Sequence, residues 1–145
     1  MSGGSWGCCV PSRTTIFALN QPSPICPSSS TALAPTACRC AGSSRADPRP
    51  APVGVQLAAY RIVQEGLTNT ARHAPGATVE VALRWEPQAL DIEITDDGRD
   101  TPLYPDGTGH GLVGVRERVE LYGGSFHAGK ATGGGFRLSA RLPTP

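Results

Sequence analysis

LAAYRIVQEGLTNTARH, residues 57–73, has the pattern of one amphipathic helix. At about 3.6 residues per turn, apolar and polar side chains fall on opposite arcs. The apolar arc contains Leu57, Ala59, Tyr60, Val63, Leu67 and Ala71, and the polar arc contains Arg61, Glu65, Asn69, Arg72 and His73. We expect the helix to end before Pro75 and Gly76, because proline disfavours a preceding helical residue and glycine accepts a left-handed exit.

The polar arc carries chemically useful groups. Glu65 and Asn69 are four residues apart, so their oxygens project in parallel, as a magnesium ion or a positioned water requires. His73 follows one turn later. The plainer interpretation is that Glu65 and Asn69 are solvated and that His73 favours the helix C-terminus.

Composition limits the classes of protein that fit. The chain has 145 residues, 39% hydrophobic residues and a formal net charge of +1, which suit one domain of soluble protein. The charge balance predicts no nucleic-acid partner. No apolar run approaches the roughly 18 residues of a membrane span, and residues 14–20 make a poor signal peptide. We therefore expect a cytoplasmic chain that makes no membrane contact itself.

Residues 1–52 differ in composition from the remainder. They are rich in Ser, Pro, Gly, Ala, Thr and Cys, with little apolar periodicity, and they hold all five cysteines. Such a segment buries too little apolar area to offset its ordering entropy. The sequence predicts a low-complexity, disordered arm over 1–52 and one domain over 53–145; the arm is alternatively a misassigned start. Unpaired thiols fit the cysteines better than a metal site does.

The domain continues with two hairpins and a second helix. Residues 78–85 and 90–95 alternate between apolar and polar, which predicts an antiparallel hairpin. Residues 112–122 predict a helix with Leu112, Val115, Val119 and Tyr122 on one face, ended by Gly123 and Gly124. Residues 125–128 and 135–142 predict a second hairpin. The expected class is α+β, a two-layer α/β sandwich whose largely antiparallel mixed sheet carries helices on one face.

Three features together suggest a nucleotide. Glycines at 107, 109 and 111 let backbone amides approach phosphate at the start of a helix. Asp96 ends a buried strand, where a carboxylate can accept the exocyclic amine of adenine. Asn69 and Glu65 would then lie near the metal and phosphates, which suggests ATP with Mg²⁺. Each feature alone is weak, since Gly-x-Gly-x-Gly has many chance matches and Asp-Asp-Gly is commonly a turn.

Four motifs in order carry a family resemblance: YRIVQEGLTNTARHA at 60–74, DDG at 96–98, GTGHGLVGVRERVELYGGSF at 107–126 and GGGFRLSARLP at 133–143. They resemble the ATP-binding domain shared by sensor histidine kinases, gyrase, Hsp90 and MutL. The most similar variant is that of two-component sensor kinases paired with helix-turn-helix response regulators. The resemblance implies a Bergerat-type ATP-binding fold, with ATP held between the sheet-capping helices under a mobile lid.

The resemblance also implies roles for single residues. Asn69 is similar to the family's magnesium-binding asparagine and Glu65 to its acidic catalytic residue, both near the metal, while His73 joins them as a catalytic position. The implied nucleotide contacts are Arg72, Asp96, Gly98, Gly107, Gly109, His110, Gly111, Leu112, Gly114 and Phe136.

The chain departs from the family pattern in places. Asp100 replaces a glycine that favours lid flexibility, and Gly66 replaces a usual alanine, which costs about 1 kcal/mol in a helix. The strand that normally precedes the first helix has no clear counterpart. His73 is the first histidine in the sequence, so we expect the phosphoacceptor histidine to be supplied elsewhere.

The favoured function is donation of the γ-phosphoryl group of Mg-ATP to a histidine on a dimerisation domain or sensor kinase subunit, with a response regulator as an indirect partner. One alternative is an anti-sigma-factor-type serine kinase, and another is a degenerate nucleotide-binding module without transferase activity. The run GLVGVRER at 111–118 favours the sensor-kinase interpretation over the serine kinase.

Overall fold

In the part of the chain that the structure describes, two helices cover one face of a five-stranded sheet. The computed structural model describes residues 37–44, 51–98 and 110–144. In chain order the elements are β1 (Ala37–Ser44), α1 (Val53–His73), β2 (Thr78–Glu86), β3 (Ala89–Asp96), α2 (His110–Leu121), β4 (Ser125–Lys130) and β5 (Phe136–Pro143). Within these ranges, neither helix has the length and apolar character to cross a membrane.

The strands lie in the order β1-β2-β3-β5-β4. The β1–β2 pair is parallel, and the β2–β3, β3–β5 and β4–β5 pairs are antiparallel. Both predicted hairpins are therefore confirmed, as is the mixed, largely antiparallel sheet. Since β5 pairs with β3, the C-terminal hairpin extends the sheet from the strand that ends at Asp96.

Strand β1 is a difference from the sequence prediction. It lies inside residues 1–52, for which a disordered arm was expected, and it pairs with β2 in the register Ala37↔Thr78 to Ser44↔Trp85. The segment ACRCAGSS has no apolar alternation, whereas main-chain pairing with a strand edge does not require one. It gives the chain a strand before its first helix. Residues 1–36 and 45–50 lie outside the described part, and the division of the chain at residue 53 stays a prediction.

The core lies between the helices and the inner face of the sheet. Alternate side chains of β2 and β5 are buried, as the patterns predicted: Val79, Val81, Leu83, Leu138, Ala140 and Leu142. The outer face is polar, with cross-strand pairs Arg141–Asp91 at 2.9 Å and Arg137–Glu93 at 2.5 Å. Partly exposed ion pairs contribute little to stability. One apolar and one charged face confirm the two-layer α+β class.

The buried side of α1 is rotated from its predicted position. Leu57, Tyr60 and Ala71 were expected to face the core and are only half-buried. The buried set is Val55, Ala58, Ala59, Ile62, Val63, Gly66, Leu67 and Thr70. The helix contacts both the sheet and α2. Two neighbours widen and turn the buried arc, which a single-stripe pattern does not anticipate.

Both helices end as predicted. The last residue of α1 is His73, and Gly76 has φ +84°. After α2, Gly123 has φ +71°, and the N–H groups of Gly123 and Gly124 donate to the carbonyls of Glu120 and Val119, a Schellman arrangement. Tyr122 was expected on the buried face of α2, but it lies beyond the helix and is 38% exposed.

Candidate functional site

Asp96 is a buried carboxylate held by hydrogen bonds from two sides. It ends β3 and is 3% exposed. Its Oδ1 accepts the N–H of Gly98 at 3.0 Å and the N–H of Phe136 at 3.1 Å. Its Oδ2 accepts the hydroxyl of Thr70 from α1 at 3.0 Å. The carboxyl group is therefore fixed by the loop after β3, by the start of β5 and by the helix above.

The three bonds leave Asp96 with acceptor capacity on one oxygen. An ionised carboxylate offers about four lone-pair directions, two on each oxygen. Among donors in the described residues, two use Oδ1 and one uses Oδ2. Oδ2 can thus accept one further N–H group. The exocyclic amine of adenine is a donor of this kind, which fits the role predicted for Asp96.

Thr70 is the contact that sequence reasoning missed. It is 2% exposed, and its hydroxyl also lies 3.3 Å from the carbonyl oxygen of Gly66. Helical threonines commonly bond back to the carbonyl four residues earlier, so the residue alone gives little signal. The available clue was its spacing from Leu67 and Val63, which share the buried arc of α1.

Gly135 allows β5 to approach Asp96. Its φ is +79°, and a Cβ built on it would overlap the carbonyl oxygen of Asp96 and lie 3.0 Å from Oδ1. Gly134 also has a positive φ, +93°, yet a Cβ there would meet nothing within 4 Å. Phe136, a predicted nucleotide contact, reaches Asp96 through its backbone N–H, while its side chain packs against the core.

A second group of predicted residues lies between α1 and α2. Glu65 is half-buried, and a Cβ built on Gly111 would overlap its carboxylate. The first turn of α2 therefore lies against Glu65. Asn69 is half-buried one turn farther along α1, next to Thr70. With a rise of about 1.5 Å per residue, Glu65 and Thr70 are about 7.5 Å apart along the helix axis. Helix α1 therefore contributes residues both to the surroundings of Asp96 and to the group between α1 and α2.

The other predicted residues occupy varied positions. Arg72 is exposed and His73 half-buried at the end of α1, while His110 is exposed at the start of α2.

The remaining predicted residues lie in or beyond α2. Leu112 is buried in the core. Gly114 is exposed, with nothing within 4 Å of a built Cβ. Gly107, Gly109 and Asp100 lie outside the described residues. His127 on β4 is exposed.

The side-chain oxygens of Glu65 and Asn69 suit magnesium better than they suit a metal ion coordinated by protein side chains alone. In residues 51–98 and 110–144, no group of three or more His, Cys, Asp or Glu side chains could hold a metal ion. Magnesium commonly takes one or two protein oxygens and completes its shell with waters and substrate phosphates. Glu65 and Asn69 are a donor set of that size and chemistry.

Comparisons with known proteins bear on the family of this chain and on its fold. Residues 54–145 match the family described as histidine kinase-, DNA gyrase B- and HSP90-like ATPases. The chain is 36% identical over 92 residues to the sensor histidine kinase YxjM of Bacillus subtilis (strain 168), covering 63% of this chain and 22% of that protein. The chain thus spans about a fifth of this relative's length.

Solved structures show the same fold. The blue-light activated histidine kinase of Erythrobacter litoralis EL346 has a TM-score of 0.56 and 25% identity, over 72% of this chain and 38% of that one. The catalytic domain of histidine kinase ThkA, in a nucleotide-free form, has a TM-score of 0.56 and 10% identity, over 90% and 84% of the two chains. The chain belongs to the histidine kinase-, DNA gyrase B- and HSP90-like ATPase family, whose shared domain binds ATP.

Proposed function

We propose that this chain binds Mg-ATP and donates the γ-phosphoryl group to a histidine on a dimerisation domain, in two-component signal transduction. The observation that carries the proposal is Asp96, a buried acceptor fixed by three donors at the end of β3. Burying a carboxylate is costly unless its oxygens are satisfied. A donor group on a ligand would complete the hydrogen bonding of Oδ2, and adenine carries one at its 6-amino group.

The second group of residues is suited to the phosphates. Asn69 and Glu65 would hold the magnesium ion through their oxygens, and the ion supplies neutralisation of phosphate charge. Arg72 contributes a cation at the end of α1. The first N–H groups of a helix have no acceptor within the helix, and its N-terminus is the positive end of the dipole, so the first turn of α2 suits phosphate. His73, at the last position of α1, is proposed to lie near the phosphates.

Phosphoryl transfer depends mainly on positioning and charge neutralisation. The role of this chain is to hold the nucleotide rigidly and to exclude water, while the acceptor nitrogen comes from the dimerisation domain or sensor kinase subunit. The support for that partner is the kinship with proteins named as sensor and light-activated histidine kinases. A response regulator would receive the phosphoryl group afterwards. The cytoplasmic location stays a prediction.

The experiment is a transfer assay in trans. The purified chain is incubated with γ-labelled ATP and magnesium, with and without a purified dimerisation domain from a sensor histidine kinase. We expect acid-labile, base-stable phosphate on the added domain. Acid-stable, base-labile phosphate on serine of an added substrate would favour the serine-kinase alternative. ATP binding without transfer to any histidine-bearing domain would contradict the kinase proposal and leave a nucleotide-binding module.

A further inference from the structure

We propose that Thr70 is a positioning residue that orients the Asp96 carboxylate and thereby sets selectivity for the adenine amine. The inference rests on the proposed function, since it concerns how Asp96 recognises the base. In this proposal Thr70, a residue of α1, acts on the nucleotide only through Asp96 and does not contact the nucleotide itself.

The hydroxyl of Thr70 has one hydrogen and two acceptors within reach. Asp96 Oδ2 lies 3.0 Å away and the Gly66 carbonyl oxygen 3.3 Å away. A hydrogen bond to an ionised carboxylate is stronger than one to a neutral carbonyl. The shorter distance and the charge both direct the hydrogen toward Asp96. Thr70 and Asp96 are 2% and 3% exposed, so water competes little for this bond.

The two oxygens of Asp96 then have different functions. Oδ1 accepts two backbone N–H groups and is filled by them. Any further donor must approach Oδ2. The terminal torsion of an aspartate side chain is broad, so carboxylate orientation depends on the donors around it. Thr70 occupies one direction of Oδ2 and leaves the other for a ligand, which fixes where an amine must be.

A nearby threonine provides a matched control. The hydroxyl of Thr68 donates to the carbonyl of Gln64 at 2.8 Å, four residues earlier on the same helix. Thr70 has the equivalent helical acceptor in Gly66, and it differs by also reaching a carboxylate. Replacing either threonine by valine removes one hydroxyl from α1 with nearly the same shape. Only the Thr70 change removes a donor from Asp96.

The test measures the affinity of the full chain for Mg-ATP and for purine riboside triphosphate, which is ATP without the 6-amino group. Variants are Thr70→Val, Thr70→Ala, Thr70→Ser and Thr68→Val. The readout is the ratio of the two affinities. Partial unfolding lowers both affinities equally, so the ratio reports recognition of the amine separately from stability. Thr70→Ser keeps the hydroxyl and serves as the conservative rescue.

We expect the wild-type chain to prefer ATP and the preference to fall about five- to tenfold in Thr70→Val and Thr70→Ala, the range of one hydrogen bond. Thr70→Ser and Thr68→Val should retain it to within about twofold. A wild-type preference that persists in both hydroxyl-free Thr70 variants would overturn the role of Thr70 alone. A wild-type chain that binds both nucleotides equally would overturn the adenine site at Asp96, and this inference with it.

Discussion

The backbone of Gly135 lies directly against Asp96, so closely that a Cβ on the glycine would overlap the aspartate's carbonyl oxygen and lie 3.0 Å from its Oδ1. The contact joins the start of β5 to the end of β3 at the carboxylate proposed to recognise adenine. A positive φ and a close approach both require glycine here.

Gly135→Ala should therefore lower both stability and ATP affinity, whereas Gly134→Ala should lower stability alone. Both positions have positive φ, +79° and +93°, so each alanine carries backbone strain of about 1 kcal/mol. Only the added Cβ at position 135 would overlap Asp96. Chemical denaturation and nucleotide titration of the two variants check this. Equal ATP affinities would contradict the assigned contact.

Gly66→Ala should destabilise the chain or leave it unchanged, although alanine favours a helix by about 1 kcal/mol. A Cβ on Gly66 would lie 2.5 Å from Cδ1 of Ile94, which is buried on β3. Overpacking of a core costs about 1–3 kcal/mol, which offsets the helical gain.

In an Ile94→Val background, which removes Cδ1, Gly66→Ala should become stabilising. Urea unfolding of the four variants of this double-mutant cycle measures the coupling, which we expect to exceed about 0.5 kcal/mol. Strict additivity would show that the glycine is not retained for packing against Ile94.

Gly111→Ala should impair phosphoryl transfer with little loss of stability. Its Cβ would overlap the Glu65 carboxylate, the end of a flexible side chain, which can move away at small energetic cost. Gly114→Ala is the stability control, because nothing lies within 4 Å of its Cβ, and it should gain about 0.5–1 kcal/mol from helix propensity. The transfer assay with thermal unfolding checks the prediction. A Gly111→Ala chain with the wild-type transfer rate would argue against a catalytic Glu65.

Asn69→Ala should weaken the binding of Mg-ATP much more than that of ATP in chelator. The change removes one hard oxygen ligand and leaves the contacts at Asp96 in place. Titrations with magnesium and with EDTA measure the difference. Equal weakening in the two conditions would assign Asn69 a structural role instead of a metal-binding one.

The features that sequence predicted best depend on local pattern. The alternation of Val79, Val81 and Leu83 predicted the buried face of β2. The alternation in the next strand predicted that Asp96 lies at the end of β3. A period of two can be read directly, since a half-buried strand buries alternate side chains. Gly123, which follows α2 with a positive φ, was also predictable from local sequence, because a left-handed exit from a helix requires no distant partner.

The features that sequence missed depend on partners distant in the chain. Strand β1 pairs in parallel with β2 from more than thirty positions away, as in Ala37↔Thr78, and its residues carry no pattern. The buried arc of α1 is set jointly by the sheet and by α2, which no stripe within 57–73 encodes. The contact of Thr70 with Asp96 likewise joins residues 26 positions apart in the sequence, with the Thr70 hydroxyl 3.0 Å from Oδ2.

Asp96→Asn tests the central claim most directly, because the substitution can keep the fold while replacing the hydrogen-bond acceptor that faces the ligand by a donor. The asparagine oxygen can accept the N–H groups of Gly98 and Phe136 as Oδ1 does now. Its amide can donate to the Thr70 oxygen, whose hydrogen then turns to the Gly66 carbonyl 3.3 Å away. The ligand, however, meets a donor where the adenine amine needs an acceptor.

The measurement is calorimetric titration of Mg-ATP into the wild-type and Asp96→Asn chains, with thermal unfolding as the check on folding. We predict a similar unfolding temperature and an affinity lower by about tenfold to a hundredfold, equivalent to losing about 1.5–3 kcal/mol of hydrogen bonding to a charged group. A folded Asp96→Asn chain that binds Mg-ATP with wild-type affinity would contradict the assignment of Asp96 as the adenine acceptor.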